Sequence, residues 1–276
     1  MSSGLEDALI ELREAQNVLA RRSTPAFDAR LQAVREWQST CTAELHKGLA
    51  QRYNGEQLLH FLTRSFYLEA DWSELTADPA KIASRIGRII EDDRPLVIAV
   101  RLQHTADTLD AELADALDAR APQAPITPTR YVRAFRDVGQ FDIREQQIGW
   151  VRELVDLLGG FADNRAAYWA FKLAGSPAKA LGMGHTYALL AEGFSAMRST
   201  RDLESATRDA VALQRRELER LIGRAVAGEK EMHPFVGDER QKVVQETAAE
   251  DGWADALLAH SRHAFSRQIL ATGRLA

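Results

Sequence analysis

Apolar residues recur along this chain at three- and four-residue intervals almost from end to end. Leu5, Leu9, Leu12 and Leu19 form the first stripe, with Glu and Arg between them. That spacing predicts an amphipathic helix over residues 5–22. Thr24-Pro25 marks a fresh start. A threonine hydroxyl can accept from the free N–H groups of a first turn, and proline supplies its φ. Behind it Phe27, Leu31, Val34, Cys41, Leu45 and Leu49 make a stripe too long for a strand.

The densest apolar run is Leu58 to Ser73, which holds Phe61, Phe66, Tyr67 and Trp72. It reads as a short buried helix that breaks at an acidic-aromatic turn. Asp78-Pro79 and Thr127-Pro128 repeat the cap-and-proline start, and Gly175-Ser176-Pro177 is a further break. Ile82, Ile86, Ile89 and Ile90 mark one helix. From Pro95 to about Arg120, Leu102, Ala106, Leu109, Leu113 and Leu117 share one face. Asp107, Asp110, Glu112, Asp115 and Asp118 cover the rest of that helix and read as a solvated acidic face.

Residues 121–128 read as a linker. Tyr131, Phe135 and Val138 predict a short helix stopped by Gly139, and Ile148, Val151, Leu154, Val155 and Leu158 one stopped by Gly159-Gly160. A single helix is expected from Pro177 to about Met197, although Gly182, Gly184 and Gly193 lie inside it. Each such glycine costs roughly 1 kcal/mol against alanine, so close helix contact or room for a ligand should compensate. Leu203, Ala206, Ala210, Leu213, Leu221 and Ile222 predict a long exposed helix, and Gly228 to Gly237 a second linker. Period-two alternation is absent. The pattern therefore predicts an all-α fold, a multi-helix bundle of about eleven or twelve helices joined by short breaks. Residues 1–227 form its main bundle and 228–276 a C-terminal helical extension.

Composition changes this picture only at the margins. Of 276 residues 45% are hydrophobic and 27% charged, the balance of a folded soluble protein. A net charge of −5 argues against nucleic acid as a partner, since duplex binding calls for a basic surplus. The longest apolar run, Leu96 to Val100, falls far short of the ~20 residues of a membrane span, so no membrane partner is expected. The one cysteine, Cys41, allows no internal disulfide and no cysteine-based zinc site, and reads as a small core residue. With no basic or apolar leader at its start, the chain is expected to be cytoplasmic.

Signatures of chemistry are scarce. There is no glycine-rich phosphate loop, dinucleotide fingerprint, HExxH or nucleophile elbow. Glu56 and His60, His104 and Asp107, and His185 and Glu192 have near-ligand helical spacings. They lack the order of a carboxylate-bridged dinuclear site, so no metal, no cofactor and no catalytic residue is assigned. His185, where the backbone is thin in side chains, is either a cavity residue or an axial ligand, or else an ordinary buried histidine satisfied by a neighbouring helix. With Phe61, Phe66, Trp169, Phe171 and Glu192 it outlines a candidate small-molecule pocket between helices. Arg130, Arg133 and Arg136, interleaved with Tyr131 and Phe135, form a candidate contact for an anion or an acidic partner, or simply the outer face of a helix. Trp253 and Phe265 in the C-terminal extension are candidate partner contacts.

The central stretch resembles an uncharacterised bacterial helical family named for its FFLEELY motif. Phe61-Leu62 matches the motif's second Phe and its Leu, and Phe66 stands where its Tyr would be. Asp71-Trp72-Ser73 is similar to the Asp-Phe-Ser that follows the motif, offset by one residue. Leu31 through Trp37-Gln38, Tyr131 to Gly139, Gln147-Ile148 and Glu192-Gly193-Phe194 are similar in order and spacing. The resemblance spans about residues 25–225 and implies an all-α fold with no assigned activity. Thr63 and Arg64 replace the motif's two glutamates and His60 its first Phe, so an acid chemistry resting on those glutamates would be missing here.

The expectation is a non-enzymatic helical interaction or regulatory protein that binds another protein or a second copy of itself. The alternative is a small-molecule or cofactor-binding helical protein, or an enzyme, with its pocket near His185 and Glu192.

Overall fold

The computed structural model describes residues 4–88, 92–163, 169 and 171–223. The second linker and the C-terminal extension, with Trp253 and Phe265, lie outside the described residues. Among those described, every regular element is helical. In order they are α1 (Gly4–Arg22), α2 (Pro25–Tyr53), α3 (Glu56–His60), a π-helical turn (Phe61–Phe66), α4 (Ser73–Thr76) and α5 (Pro79–Ile86). Then come α6 (Arg94–Arg120), α7 (Pro128–Val138), α8 (Phe141–Asp163), α9 (Gly175–Ala180), α10 (Gly184–Ser199) and α11 (Leu203–Leu221). The all-α expectation holds.

The cap-and-proline starts do what their chemistry predicts. Thr24 Oγ1 accepts from the Phe27 amide at 3.2 Å, Asp78 Oδ1 from Lys81 at 3.2 Å and Thr127 Oγ1 from Arg130 at 3.4 Å. Asn54 closes α2 in the left-handed region at φ 52°, with its N–H on the Ala50 carbonyl. Glycine was the weaker guide. Helix α8 runs straight through Gly159-Gly160 to Asp163, and the missing side chain at Gly159 leaves room for a Leu203 methyl, which sits 3.0 Å from where its Cβ would be. The expected helix from Pro177 to Met197 is two helices, α9 and α10, parted at Gly182, whose φ of +75° leaves the helical region. His185 is therefore the second residue of α10 rather than a mid-helix residue. Gly193 fits the close-contact expectation: a Cβ there would lie 2.7 Å from the Phe61 ring.

Helix α6 is the axis of the bundle and packs against α1, α2, α7 and α8. Its first half joins Leu5, Leu9 and Leu12 of α1, Trp72, Leu75, and Ile82 and Ile86 of α5 in one apolar cluster. Its second half places Leu113 and Leu117 with Val34, Phe135, Ile148, Val211 and Leu218. A third cluster gathers Leu58, Phe61, Val155, Phe194 and Met197. No helix among the described residues is long and apolar enough to cross a membrane.

Candidate functional site

A helix buried on several sides leaves little solvent for the acids in its middle. Asp107 and Asp110 of α6 are 4% and 3% exposed, so the reading of them as a solvated acidic face is corrected. Arginines from α1 and α2 meet the acidic residues along the helix. Arg22 pairs with Asp115 at 2.6 Å, Arg30 with Asp118 at 2.7 Å and Arg35 with Asp107 at 2.6 Å. The Arg35 Nε also stands 3.5 Å from Asp110 Oδ2. Arg22 and Asp115 remain well exposed; the pairing becomes dry toward Arg35.

Around Arg35 the polar groups form one network. Gln103 Nε2 donates to Asp107 Oδ1 at 2.8 Å. Gln38 Nε2 donates to Asp110 Oδ1 at 2.6 Å and to the Tyr67 hydroxyl at 2.9 Å. Tyr67 in turn donates to Asp110 Oδ2 at 2.9 Å, and Tyr131 to Gln38 Oε1 at 3.2 Å. The π-helical turn matters here, because it sends Phe61 into the third apolar cluster while Tyr67, just beyond it, reaches α2 and α6. Ser39 of α2 donates to the Thr63 carbonyl of that turn at 2.8 Å and anchors it. Behind the network the buried Arg144 lays its guanidinium 4.1 Å from the centre of the Phe135 ring, and its Nη2 has no partner among the described residues.

Two carboxylates share the Arg35 guanidinium in a nearly dry interior. Burial pushes Asp107 up to about 6, although Arg35 and the Gln103 amide pull the other way. Asp110 is raised for the same first reason. Burial likewise lifts Tyr67 well above its ordinary value, so it stays a neutral donor to Asp110.

Above this pair opens a cleft of about 380 Å³, lined on α1 by Gln16 and Leu19, on α2 by Arg35, and on α6 by Gln103 and Asp107. Ala70, Asp71, Trp72, Ser73 and Thr76 close the remaining side. Both floor bonds to Asp107 end on Oδ1, and no donor among the described residues meets its Oδ2. The Trp72 indole N–H is also buried without a described partner. On the rim, hydrogen bonds from Ser73 hold the Asp71 carboxyl below its ordinary range. A half-open polar cleft over a carboxylate that titrates near neutrality can bind a small polar molecule and can exchange a proton with it.

The residues singled out from sequence fall elsewhere. Phe61, Phe66 and Phe171 do come together, but they pack into the third apolar cluster, with Phe61 and Phe66 centroids 6.1 Å apart and Phe171 and Phe194 at 4.6 Å. Trp169 stands 61% exposed. The His185 side chain is 76% exposed at the start of α10, its Nδ1 3.8 Å from Asp71 Oδ2. Glu192 is exposed and accepts from Ser65 Oγ at 2.5 Å. What engages the His185 region is Glu74, whose carboxylate accepts the His185 and Thr186 amides at 3.1 and 3.0 Å. Burial works to raise Glu74, and the Thr186 and His185 N–H groups outweigh it, leaving it below its ordinary range.

The three arginines of α7 do not converge on an anion. Arg130 donates to the carbonyls of Leu117 and Ala121 at 3.0 and 2.9 Å and to that of Pro125, closing the end of α6. Arg136 donates to the Leu221 carbonyl at 2.8 Å and closes α11 in the same way. Arg133 is exposed. Burial pushes the Cys41 thiol up to about 12, which suits a packing residue rather than a nucleophile. Among the described residues, no group of three or more His, Cys, Asp or Glu could hold a metal ion.

Arg35, Asp107, Asp110, Gln38, Gln103 and Tyr67 were missed as a group. One signal was available: Leu96, Ile98, Val100, Leu102, Ala111 and Ala114 widen the apolar face of α6 until Asp107 and Asp110 have little solvent left to face.

Fold and site together define an all-α protein with a buried ionic network beneath a surface cleft. A family model for a domain of unknown function (DUF8198) matches residues 17–227, and the chain belongs to that family. All the cleft residues except Gln16 fall inside the matched region. No curated protein and no solved structure matches the chain.

Proposed function

We propose that this protein binds a small polar molecule in the cleft between α1, α2, α6 and the 70–76 segment. The observation that carries the reading is the cleft floor. Asp107 is buried at the cleft with its side-chain bonds taken through Oδ1, and the Trp72 indole N–H in the same wall is buried without a described partner. A buried donor left unmet is costly, and a ligand acceptor relieves it. The cleft volume lies within the usual range for small-molecule sites. The reading takes the protein as cytoplasmic on the strength of its single cysteine.

The test is native mass spectrometry of the full chain beside Gln16→Trp, which fills the cleft from a half-buried position. Added mass on the wild type alone, or a thermal shift with a small-molecule extract seen in the wild type alone, supports the reading. A bare chain mass with identical thermal shifts in both proteins overturns it.

A second reading, binding to another protein, draws on a different observation. Trp169 and Leu173, four residues apart, are 61% and 76% exposed. Large apolar side chains with this much exposure favour a protein contact. The paired variants Trp169→Ser and Leu173→Ser test it. A change in the mass measured by light scattering, or loss of a crosslinked partner, supports a contact there; an unchanged result for both removes it.

A further inference from the structure

The charges of the cleft are already spent on one another and on their neighbours. Arg35 Nη2 holds Asp107 Oδ1 at 2.6 Å, and its Nε stands 3.5 Å from Asp110 Oδ2. At the rim, Asp71 Oδ1 accepts the Ser73 amide at 2.9 Å, and His185 Nδ1 stands 3.8 Å from Asp71 Oδ2. What remains is hydrogen-bonding capacity, and it has both signs. Arg35 Nη1 donates to no described residue, and the Trp72 indole N–H is buried without a described partner. Asp107 Oδ2 and Gln103 Oε1 accept from no described donor. All four groups belong to residues that line the cleft, and Trp72, Gln103 and Asp107 are each more than nine-tenths buried.

Resting on the cleft as a ligand site, we infer that its ligand presents an uncharged primary carboxamide to the floor. The carboxamide oxygen accepts from Arg35 Nη1 and the Trp72 indole N–H, and its NH2 donates to Asp107 Oδ2 and Gln103 Oε1. A carboxamide carries two acceptor lone pairs and two donors on neighbouring atoms, the complement of a guanidinium beside a carboxylate. An ammonium would bring donors alone and leave the Trp72 N–H and Arg35 Nη1 unmet. A carboxylate would bring acceptors alone and leave Asp107 Oδ2 and Gln103 Oε1 with nothing to accept. A zwitterion brings both kinds of group, but it must shed the water around two full charges to meet a pair, Arg35 and Asp107, that is already neutral. The rest of the ligand lies along Leu19 and Ala70.

The experiment uses the full chain and four probes of one size: butyramide, butyrate, n-pentylammonium and pentan-2-one, followed by ligand-observed NMR titration. Pentan-2-one keeps the carbonyl and replaces the NH2 by a methyl. Butyramide is expected to bind about tenfold tighter than each of the other three, and Gln16→Trp to abolish that binding. Trp72→Phe, which removes the N–H and keeps a ring, is expected to weaken butyramide a few-fold. In Asp107→Asn the new amide oxygen faces the Arg35 and Gln103 donors, so its NH2 stands where Oδ2 was. That variant is expected to weaken butyramide about tenfold and to strengthen butyrate. A folded Asp107→Asn with the wild-type order of probes overturns the inference. Butyrate, n-pentylammonium or pentan-2-one binding as tightly as butyramide, with that binding lost in Gln16→Trp, overturns the carboxamide and leaves the cleft reading intact. Butyramide that binds equally well to Gln16→Trp overturns it too, as does the absence of binding by all four probes. If a cleft ligand is nevertheless found by mass, only the inference about its chemistry has failed. Should Asp107→Asn or Trp72→Phe fail to fold, the order of the four probes on the wild type still decides.

Discussion

At the scale of single residues, Asp107 is the position where burial and charge conflict most openly. Arg35 and Gln103 both favour its ionised form, yet burial outweighs them and the carboxyl titrates near 6 instead of its ordinary value of 3.8. The consequence for stability has a definite sign. A carboxyl raised in the folded state is easier to ionise in the unfolded chain, so ionisation favours unfolding. The stabilising contribution of the protonated form is complete below about pH 3.8 and is lost as pH rises through about 6. The difference between those two values corresponds to roughly 3 kcal/mol. The wild type is therefore expected to gain stability toward urea, relative to Asp107→Asn, as pH falls from about 7.5 to about 5. A wild type and variant whose unfolding midpoints move in parallel over that window would show that Asp107 is not raised. Asp71 and Glu74 are held below their ordinary range, so their own losses come at lower pH and do not mask the effect.

At the scale of elements, the joints matter more than the rods. Helix α4 is only four residues long, yet Glu74 on it receives the first amides of α10 and the Thr186 hydroxyl. A carboxylate at a helix start satisfies amides that have no partner within the helix and favours the positive end of the helix dipole. Glu74→Ala is expected to cost about 1–2 kcal/mol and to speed exchange of the His185 and Thr186 amides. Unchanged exchange at those two amides would mean that α10 starts without help from α4. The same joint explains what the sequence could and could not reveal. A cap works over three residues, so Thr24-Pro25, Asp78-Pro79 and Thr127-Pro128 were legible as starts. Glycine has no such local meaning. Gly159 and Gly160 stay helical where Leu203 crowds the chain, and Gly182 breaks the helix by its positive φ. The site was less legible still. Arg35 and Asp107 are 72 residues apart and Arg30 and Asp118 are 88 apart, so neither pairing leaves a mark on local periodicity. Phe61, Phe66 and Phe171, grouped in sequence as a candidate pocket, meet in one apolar cluster, because aromatic side chains pack on one another wherever the chain brings them together.

At the scale of the whole molecule, α6 ties two of the three apolar clusters to one another and holds the ionic network between them. To expose its middle the bundle must release α1, α2, α7 and α8 together. The other extreme is α9, which has no buried residue and follows the exposed Leu173. Local opening costs little where few apolar contacts are broken and approaches the global unfolding free energy where many are. Amides of 98–114 in α6 are therefore expected to exchange only through global unfolding, with protection that tracks denaturant sensitivity. Amides of 176–182 are expected to exchange through small local openings that urea hardly affects. Native-state hydrogen exchange at several sub-denaturing urea concentrations reads both. Equal urea dependence in the two segments would mean that α9 opens only with the core, and that the bundle lacks the graded stability its packing implies. With graded stability, a cleft whose floor belongs to α6 gains rigidity from the least yielding part of the fold, while its rim at Asp71 and Ser73 belongs to a short segment between the π-helical turn and α5. A ligand that bridges floor and rim should slow exchange at Ser73 and Glu74 far more than in α6, because only the rim has freedom left to lose.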